Sequence, residues 1–352
     1  MRIGDRSIGM GHPAYVIAEI GVNHDGSASR AAELIDAAAD AGADAIKLQL
    51  FQTELLLSRA AMLAMYQQSA GERDPAEMLK RLELNAQEMQ PLAAQAHQRG
   101  IHAIVTVFSE PLVAGAIEAG FDGFKSASPD IVNEPLLRAM AAAGKPLVVS
   151  TGAASLDECA RANGWLDAFD HGAFLHCVSS YPPPAEEASL RAMDDLALTV
   201  APRSVGYSDH TTREDTGAIA VAAGASILEK HLSHDRSAAG PDHAASLEPD
   251  GFARYVRAVR DAEAMLGERS KQIRPIERDV QGAARQSVCT TRAMEAGHVL
   301  ASEDVCIKRP GSGLEPWRLL AVVGQRLARS VEADVPLMMD DLEAHAKRLF
   351  AR

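Results

Sequence analysis

One phrase recurs along the chain: an alanine-rich stretch with helical periodicity ends at a small residue and a glycine, and a short apolar run follows. It reads AGADAIK at residues 41–47, AGFDGFK at residues 119–125 and AGASILE at residues 223–229. Glycine suits this position because the residue after a helix often adopts a positive φ. Arg99–Gly100 and Ala143–Gly144 punctuate the chain in the same way. The phrase is typical of a chain in which helices alternate with buried strands.

Taking these stops as junctions between helices and strands gives eight candidate strands. They end near Ile20, Gln49, Phe108, Ser126, Ser150, Cys177, Tyr207 and Lys230. Helical patterns cover residues 29–41, 85–99, 110–119, 132–143, 155–165, 212–223 and 249–266. Alternating strands and helices form parallel βαβ units, and eight such units in about 265 residues match the size of a (β/α)8 TIM barrel. A doubly wound sheet is the alternative, although no GxGxxG follows the first strand.

The pattern changes after Leu266, where the chain becomes polar and aperiodic. Short β-like pieces then follow at residues 287–291, 299–300, 305–308 and 326–330. We therefore predict a barrel domain over residues 1–267, a linker over 268–284 and a small β-rich domain over 285–346. A unit of about 60 residues lies near the lower limit of independent stability, so we expect it to pack on something else.

Charge and composition exclude several classes of protein. The 352 residues carry 35 basic and 48 acidic side chains, a formal net charge of -13, which argues against a nucleic-acid binder. No apolar run approaches the roughly 18 residues of a membrane span, and the N-terminus does not resemble a secretory signal. The four cysteines show no CxxC spacing. We expect a cytoplasmic protein with reduced thiols and no membrane or nucleic-acid partner.

Polar side chains are expected to collect at one mouth of the barrel, because each predicted strand ends in them. In such barrels the chemistry lies at the carboxyl ends of the strands. In chain order the polar groups include Glu19, Asn23, Lys47, Gln49, Thr106, Lys125, Ser128, Ser150, Ser179, Ser208, Glu229 and His231. One polar strand end would mean little, but eight predict a lined pocket.

Two lysines in this mouth, Lys47 and Lys125, indicate an anionic ligand. An ammonium binds phosphate or carboxylate as a point charge, and neighbouring hydroxyls supply donors. The alternative is that each lysine runs along the barrel wall to solvent. Glu19 and Glu229 are placed to form ion pairs with these lysines.

His210 and His231 close strands 7 and 8, which are neighbours in a barrel. Two imidazoles there can share one divalent cation and leave a position open for substrate or water; the alternative is a pair of hydrogen-bonded pocket histidines. Asp25 lies on a loop beside Gly26, where it is the better candidate for a general acid or base.

These residues fall in motifs that resemble the sialic acid synthase family, enzymes that condense phosphoenolpyruvate with amino sugars to make nonulosonic acids. The motifs are AEIGVNH (residues 18–24), STG (150–152), HC (176–177), YP (181–182), SDHT (208–211), EKH (229–231), GPD (240–242) and KRPG (308–311). They follow the family's order over residues 18–313, and the tail resembles its antifreeze-like SAF domain, a β-clip. The resemblance thus covers nearly the whole chain.

The resemblance implies a TIM barrel whose phosphoenolpyruvate site uses Lys47, Gln49, Thr106, Lys125, Ser128, Ser150 and Ser208. It implies a divalent metal, Mn²⁺ or Mg²⁺, on His210 and His231. Tyr181 and Asp242 would contact an open-chain N-acyl hexosamine, either N-acetylmannosamine or a 2,4-diacetamido-dideoxyhexose. It further implies a homodimer in which the antifreeze-like domain crosses to the partner barrel and lends Arg309 to the N-acyl group of the acceptor.

The chain departs from the family pattern at three positions. Asp25 stands where sialate synthases have Glu and legionaminate-type members often have Asn, so its role as the base acting on water is the hypothesis under test. Ser179 replaces an Asn beside the phosphoenolpyruvate, and Asp130 replaces the Glu of a Ser-Gly-Glu sequence. The run from Ser179 to Tyr181 is more similar to the legionaminate and pseudaminate branches.

The function implied is a transferase that makes a nine-carbon 2-keto-3-deoxy acid and phosphate. Three alternatives stay open on the sequence: a Schiff-base pyruvate aldolase using Lys125 or Lys47, a related condensing enzyme that makes other 3-deoxy keto acids, and a relative that binds a carbohydrate without turning it over.

Overall fold

The computed structural model describes residues 1–169 and 171–344, which fall into two compact units, Met1–Gly267 and Glu268–Arg352. The predicted end of the second domain, residue 346, lies outside the described residues.

The first unit is a closed barrel of eight parallel strands. A short hairpin of β1 (Arg2–Ile3) and β2 (Arg6–Ser7) precedes it. The barrel strands are β3 (Tyr15–Glu19), β4 (Ala45–Leu50), β5 (His102–Val107), β6 (Gly123–Ser126), β7 (Leu147–Ser150), β8 (Gly172–Cys177), β9 (Ser204–Asp209) and β10 (Ile227–His231). Each strand pairs with the next, and β10 pairs with β3. The predicted (β/α)8 barrel is confirmed, and the doubly wound sheet, whose edges stay open, is excluded.

Helices of the first unit surround the barrel and connect its strands. They are α1 (Ala28–Asp40), α2 (Thr53–Leu56), α3 (Met65–Ser69), α4 (Pro75–Leu82), α5 (Ala86–Gln98), α6 (Val113–Glu118), α7 (Glu134–Ala142), α8 (Leu156–Trp165), α9 (Ala192–Val200), α10 (Thr216–Ala222) and α11 (Pro249–Leu266). No helix in the described part of the chain is both long and apolar enough to cross a bilayer. The sequence patterns predict all but α2, α3, α4 and α9.

The two-residue period of the strands sorts their side chains between helices and barrel interior. Outward residues such as Val16 and Ile46 pack under the helices. Inward residues at the amino-terminal end, among them Tyr15, Ile17 and Ile104, form a separate apolar plug together with residues of the hairpin. Two residues further along each strand the inward positions become polar. The apolar plug therefore closes one end of the barrel and leaves the carboxyl end for chemistry.

The second unit contains α12 (Arg278–Ala284), β11 (Ser287–Thr290), β12 (Val305–Lys308) and α13 (Leu319–Val322). Strands β11 and β12 pair antiparallel over a small apolar core of residues such as Val288, Leu300 and Leu337. Residues 278–284, expected to be part of an aperiodic linker, form α12. The β-like piece at 326–330 makes only isolated bridges, one of them from Arg326 to Val299.

Candidate active site

A cavity of about 670 Å³ opens at the carboxyl end of the barrel. Its walls come from the strand ends, the loops after them and residues 51–82. The predicted site residues that line it are Lys47, Gln49, Thr106, Lys125, Ser128, Asp130, Ser150, Ser179, Tyr181, Ser208, His210, His231 and Asp242. Thirteen side chains that are far apart in sequence thus meet around one space.

Two lysines and two glutamates form the charged floor of this cavity. Lys47 pairs with Glu19 and donates to Thr106 Oγ1 at 2.7 Å. Lys125 Nζ lies 3.4 Å from Glu229 Oε1, and Lys47 Nζ lies 3.9 Å from Glu229 Oε2. The lysine side chains are 4% and 6% exposed. The predicted ion pairs are confirmed, and the alternative in which the lysines reach solvent is wrong.

Burial sets the proton affinity of this floor. Burial raises the pKa of Glu19 to about 7, although Lys47 opposes the shift. Burial would also raise the pKa of Glu229, but Lys125 and Lys47 hold it below its ordinary value. A carboxyl group that ionises near neutral pH can accept a proton when an anion takes its place beside Lys47. The floor can therefore exchange a carboxylate partner for an anionic ligand without leaving a buried charge unpaired.

Hydroxyl and amide groups surround the lysines with hydrogen-bond donors and acceptors. Ser128 Oγ donates to Ser150 Oγ at 3.0 Å, and Ser208 Oγ donates to Glu229 Oε1 at 2.9 Å. Gly152 donates its N–H to Ser128 Oγ at 3.1 Å. This close approach requires glycine, since a Cβ at Gly152 would lie 2.1 Å from Ser179 Oγ and 2.7 Å from Ser128 Oγ.

The two histidines face each other across the cavity, with ring centroids 5.3 Å apart. His210 Nδ1 lies 2.9 Å from the carbonyl oxygen of Val178, so in the neutral ring Nδ1 carries the proton and Nε2 keeps its lone pair. His231 Nδ1 is buried without a hydrogen-bond partner, 3.5 Å from Asp242 Oδ2. Burial, reinforced by His210 and Lys47, lowers the pKa of His231 well below its ordinary value.

This donor set fits a shared divalent cation that is completed by substrate or water. A buried neutral imidazole with an unpartnered nitrogen, a second imidazole oriented by a backbone carbonyl, and a nearby carboxylate are ordinary ligands for such ions. Within residues 1–169 and 171–344, no three His, Cys, Asp or Glu side chains form a closed metal cluster. The arrangement is that of an open site, which needs ligands from outside the protein.

Two predicted residues, Asp25 and Asn23, are not among the residues that line the cavity. Asp25, in the left-handed region with φ 50°, pairs with Arg30 and lies 3.0 Å from His243 Nε2. Asn23 donates to the carbonyl oxygen of Leu232 at 2.9 Å. Arg309 belongs to the second unit, where it is exposed. The structure therefore does not bring these three residues to the cavity within the barrel unit.

Tyr66 is a cavity residue that the sequence patterns do not reveal. It lies in α3, outside any strand end, and its ring stacks on Tyr181 with centroids 4.7 Å apart. Tyr181 in turn stacks on His210 at 4.0 Å. Cys177 was predicted only as a strand end, yet its Sγ lies 3.8 Å from His210 Nδ1. Burial opposes ionisation of this thiol, but His210 lowers the pKa of Cys177 to about 7.

Comparison with known proteins gives two family matches. Residues 34–271 match the model of the NeuB family, and residues 285–343 match the SAF domain.

Similar proteins align over almost the whole chain. The N,N'-diacetyllegionaminic acid synthase of Legionella pneumophila is 34% identical, covering 97% of this chain and 98% of the relative. The N-acetylneuraminate-9-phosphate synthase of Homo sapiens is 31% identical, covering 98% and 97%. Among solved structures, the N-acetylneuraminic acid synthetase of Leptospira borgpetersenii in complex with citrate is 32% identical with a TM-score of 0.72, covering 80% of this chain and 94% of that one.

Proposed function

The chain belongs to the NeuB family and ends in a SAF domain, and from that premise we propose that it is a nonulosonic acid synthase that joins phosphoenolpyruvate to an open-chain N-acyl hexosamine. The products are a nine-carbon 2-keto-3-deoxy acid and phosphate. The observation that carries the proposal is the meeting of two buried lysines and two histidines in one cavity. This combination supports one anionic substrate and one carbonyl substrate bound side by side.

Phosphoenolpyruvate binds on the charged floor in this proposal. Lys47 and Lys125 hold its phosphate and carboxylate, and Glu19 takes up a proton as Lys47 turns to the substrate. Gln49, Thr106, Ser128, Ser150 and Ser208 supply further polar contacts. Fixing both charged ends positions carbon 3 of the enol toward the histidine side of the cavity, which accelerates the reaction through orientation.

The condensation then proceeds in two bond-forming steps. Carbon 3 attacks the aldehyde carbon of the sugar, the aldehyde oxygen takes a proton to become a hydroxyl group, and positive charge develops at carbon 2. The carboxylate of Glu229 lies beside the lysines, where it stabilises that charge. Water adds to carbon 2 and gives its proton to a carboxylate. The C–O bond to the phosphate then breaks, so phosphate leaves with the bridging oxygen and carbon 2 becomes the keto carbon.

The base that takes the proton from water is predicted to be Asp25. The pairing of Asp25 with Arg30 and His243 orients its carboxylate but leaves it outside the cavity lining, so this role stays a prediction.

The acceptor binds beside the histidines. His210 and His231 would hold Mn²⁺ or Mg²⁺, and the bound ion would supply Lewis-acid polarisation of the aldehyde oxygen. The Val178 carbonyl keeps the ring of His210 in one orientation, and the Tyr181 ring covers it. Tyr181, Ser179, Asp130 and Asp242 are the proposed contacts to the sugar.

We also propose a homodimer in which the partner subunit's Arg309 completes the acceptor site. This follows from the family resemblance of the second domain, and it would explain why an exposed arginine lies in the KRPG motif.

The deciding experiment measures phosphate release from phosphoenolpyruvate with Mn²⁺ and a panel of N-acyl hexosamines in water enriched in ¹⁸O. We expect acceptor-dependent release, with label in the keto acid and none in the phosphate. Label in the phosphate would contradict C–O cleavage. Absence of release with every acceptor would leave a carbohydrate-binding protein, and release with unsubstituted aldoses alone would indicate another 3-deoxy keto acid synthase.

A Schiff-base aldolase receives less support from the site. Burial lowers the nucleophile's proton affinity in such enzymes, but here Glu19 and Glu229 overcome burial and raise the pKa of Lys47. A charged ammonium is not a nucleophile. Inactivation by borohydride in the presence of pyruvate would favour the aldolase.

A further inference from the structure

One wall of the cavity is apolar, in contrast to its charged floor. Residues 51–82 build this wall between β4 and α5, and the side chains they contribute include Phe51, Leu56, Met62, Met65, Met78 and Leu82. None of the described lining residues from this segment is charged. The charged lining residues all lie on barrel strands or on the loops after them. The cavity therefore has a polar end for one substrate and an apolar face for part of the other.

Tyr66 connects the apolar wall to the histidines. Its ring lies 30° from the plane of Tyr181, which lies 28° from the plane of His210, so three rings form one continuous stack. The proposed function places the aldehyde end of the sugar beside His210. A sugar bound with that end at the histidines would extend its far end along Tyr66 and the methionines of the wall.

The chemistry of this wall discriminates between acceptors. A phosphate on the far end of the sugar would lose its hydration against apolar side chains, and burying a charge without a partner is strongly unfavourable. The cavity lysines cannot compensate, because both lie at the floor and are paired with Glu19 and Glu229. A methyl group at the same place would gain by losing contact with water.

We propose that Tyr66 and the apolar wall select an acceptor whose end remote from the aldehyde carries methyl groups, as in a 6-deoxy sugar with a second N-acyl group, and exclude a 6-phosphorylated one. This inference rests on the proposed function. Tyr66 acts as a specificity-determining residue: it contributes to the affinity for the far end of the sugar and takes no part in bond making.

The test compares three acceptors under identical conditions: 2,4-diacetamido-2,4,6-trideoxymannose, N-acetylmannosamine and N-acetylmannosamine 6-phosphate. Steady-state phosphate release with phosphoenolpyruvate and Mn²⁺ gives kcat and KM for each. We expect kcat/KM for the deoxy acceptor to exceed that for N-acetylmannosamine about tenfold, and that for the 6-phosphate about 100-fold or more.

Two variants assign the preference to the wall. Tyr66→Ala is expected to raise the KM for the deoxy acceptor about tenfold, with kcat and the KM for phosphoenolpyruvate little changed, and so to reduce the preference over N-acetylmannosamine to about twofold. Tyr66→Phe keeps the ring and should retain the preference. Leu55→Ala is the matched control, because Leu55 lies in the same segment but is exposed and does not line the cavity.

The possible failures are distinguishable. Release that is fastest with the 6-phosphate, or an unchanged preference in Tyr66→Ala, would overturn the inference and leave the proposed function standing. No release with any of the three acceptors would overturn both.

Discussion

At the scale of single residues, the cavity floor keeps two buried cations without a large electrostatic cost because each has a carboxylate partner. Glu229 serves both lysines and also accepts from Ser208, so it is the centre of the arrangement. Burying ions is expensive, and removing one partner costs more than removing the pair. This property allows the folding role of a lysine to be separated from its role toward a ligand.

The first prediction makes that separation at Lys125. Lys125→Met should lower kcat/KM for phosphoenolpyruvate about 10²- to 10³-fold, because an anion contact is lost. It should also lower the free energy of unfolding by about 3 kcal/mol, because Glu229 keeps only the more distant Lys47. Lys125→Met combined with Glu229→Gln should recover most of the stability but none of the activity. Recovery of activity in the double variant would mean that Lys125 serves the fold alone.

The second prediction concerns the pH dependence of stability at His24. Burial lowers the pKa of His24 to about 4 from an ordinary value of 6.5, and its Nδ1 accepts from the Gly26 N–H at 3.1 Å. Between these pH values the unfolded chain binds the proton and the folded chain does not. The contribution of His24 is therefore complete above about pH 6.5 and is lost as the pH falls toward 4, by about 3 kcal/mol.

Urea unfolding of the wild type and of His24→Asn, measured from pH 4 to 7.5, tests this. The asparagine can accept from Gly26 but does not titrate, so its stability should fall less on acidification. The difference between the two proteins isolates His24 from Glu19, whose raised pKa has the opposite effect: it reduces stability as the pH rises from about 4.5 to about 7. Parallel curves would exclude the prediction.

The third prediction concerns metal binding by the histidine pair. Mn²⁺ titrated calorimetrically into the chelator-treated wild type should bind at one site, and His210→Ala or His231→Ala should weaken binding at least 100-fold, since each removes one of two imidazole ligands. His176→Ala is the control, because His176 stacks on Tyr207 and lies outside the cavity lining. Full synthase activity of the wild type in metal-free buffer would refute the metal assignment.

At the scale of secondary-structure elements, strand ends were predictable because their signals are local. A glycine stop and a run of apolar residues lie within ten positions of each other, and the two-residue period then fixes which side chains face inward. That reasoning correctly places Lys47, Lys125 and Glu229 on one floor. The doubly wound alternative could be excluded only by the pairing of β10 with β3, which joins strands some 200 residues apart in sequence.

Elements without these signals were missed for physical reasons. Helix α9 ends before Pro202, not at a glycine, because a residue that precedes proline disfavours the helical conformation. Helices α2–α4 are short and lack an extended apolar period, so their role as a cavity wall comes from tertiary packing. The contact between Asp25 and His243 joins residues 218 positions apart, and no local pattern predicts it.

The fourth prediction concerns how α11 is held against the amino-terminal end of the barrel. Asp44, 8% exposed, accepts from the Val16 N–H at 2.8 Å and pairs with Arg260 at 2.7 Å. Asp44→Ala should lower the free energy of unfolding by about 3 kcal/mol, since it leaves a guanidinium and an N–H unpaired. Kinetic parameters should be unchanged, because the cavity lies at the other end of the strands. A loss of kcat/KM in the folded variant would contradict this.

The control for Asp44 is Arg6, which also pairs with this carboxylate, at 3.0 Å, but is 41% exposed. Arg6→Ala should cost less than about 1 kcal/mol, as is usual for solvent-exposed ion pairs.

At the scale of the whole molecule, the chain combines a barrel that contains the proposed chemistry with a small unit that carries Arg309. The cavity in the barrel provides two lysines for the anion but no arginine among its described lining residues. The family resemblance assigns Arg309 to the barrel of the partner, so activity should depend on which chain supplies each part.

The last prediction tests this by mixing two inactive variants. His210→Ala removes the proposed chemistry of the barrel and keeps the SAF domain, whereas Arg309→Ala does the reverse. If each SAF domain serves the partner barrel, a mixed dimer joins an intact barrel to an intact partner Arg309, and random exchange of subunits should restore about a quarter of the wild-type sites. If each SAF domain serves its own barrel, every site in the mixed dimer keeps one defect. Subunits exchanged in mild denaturant and assayed for phosphate release would then stay inactive, with wild type mixed with His210→Ala as the positive control for exchange.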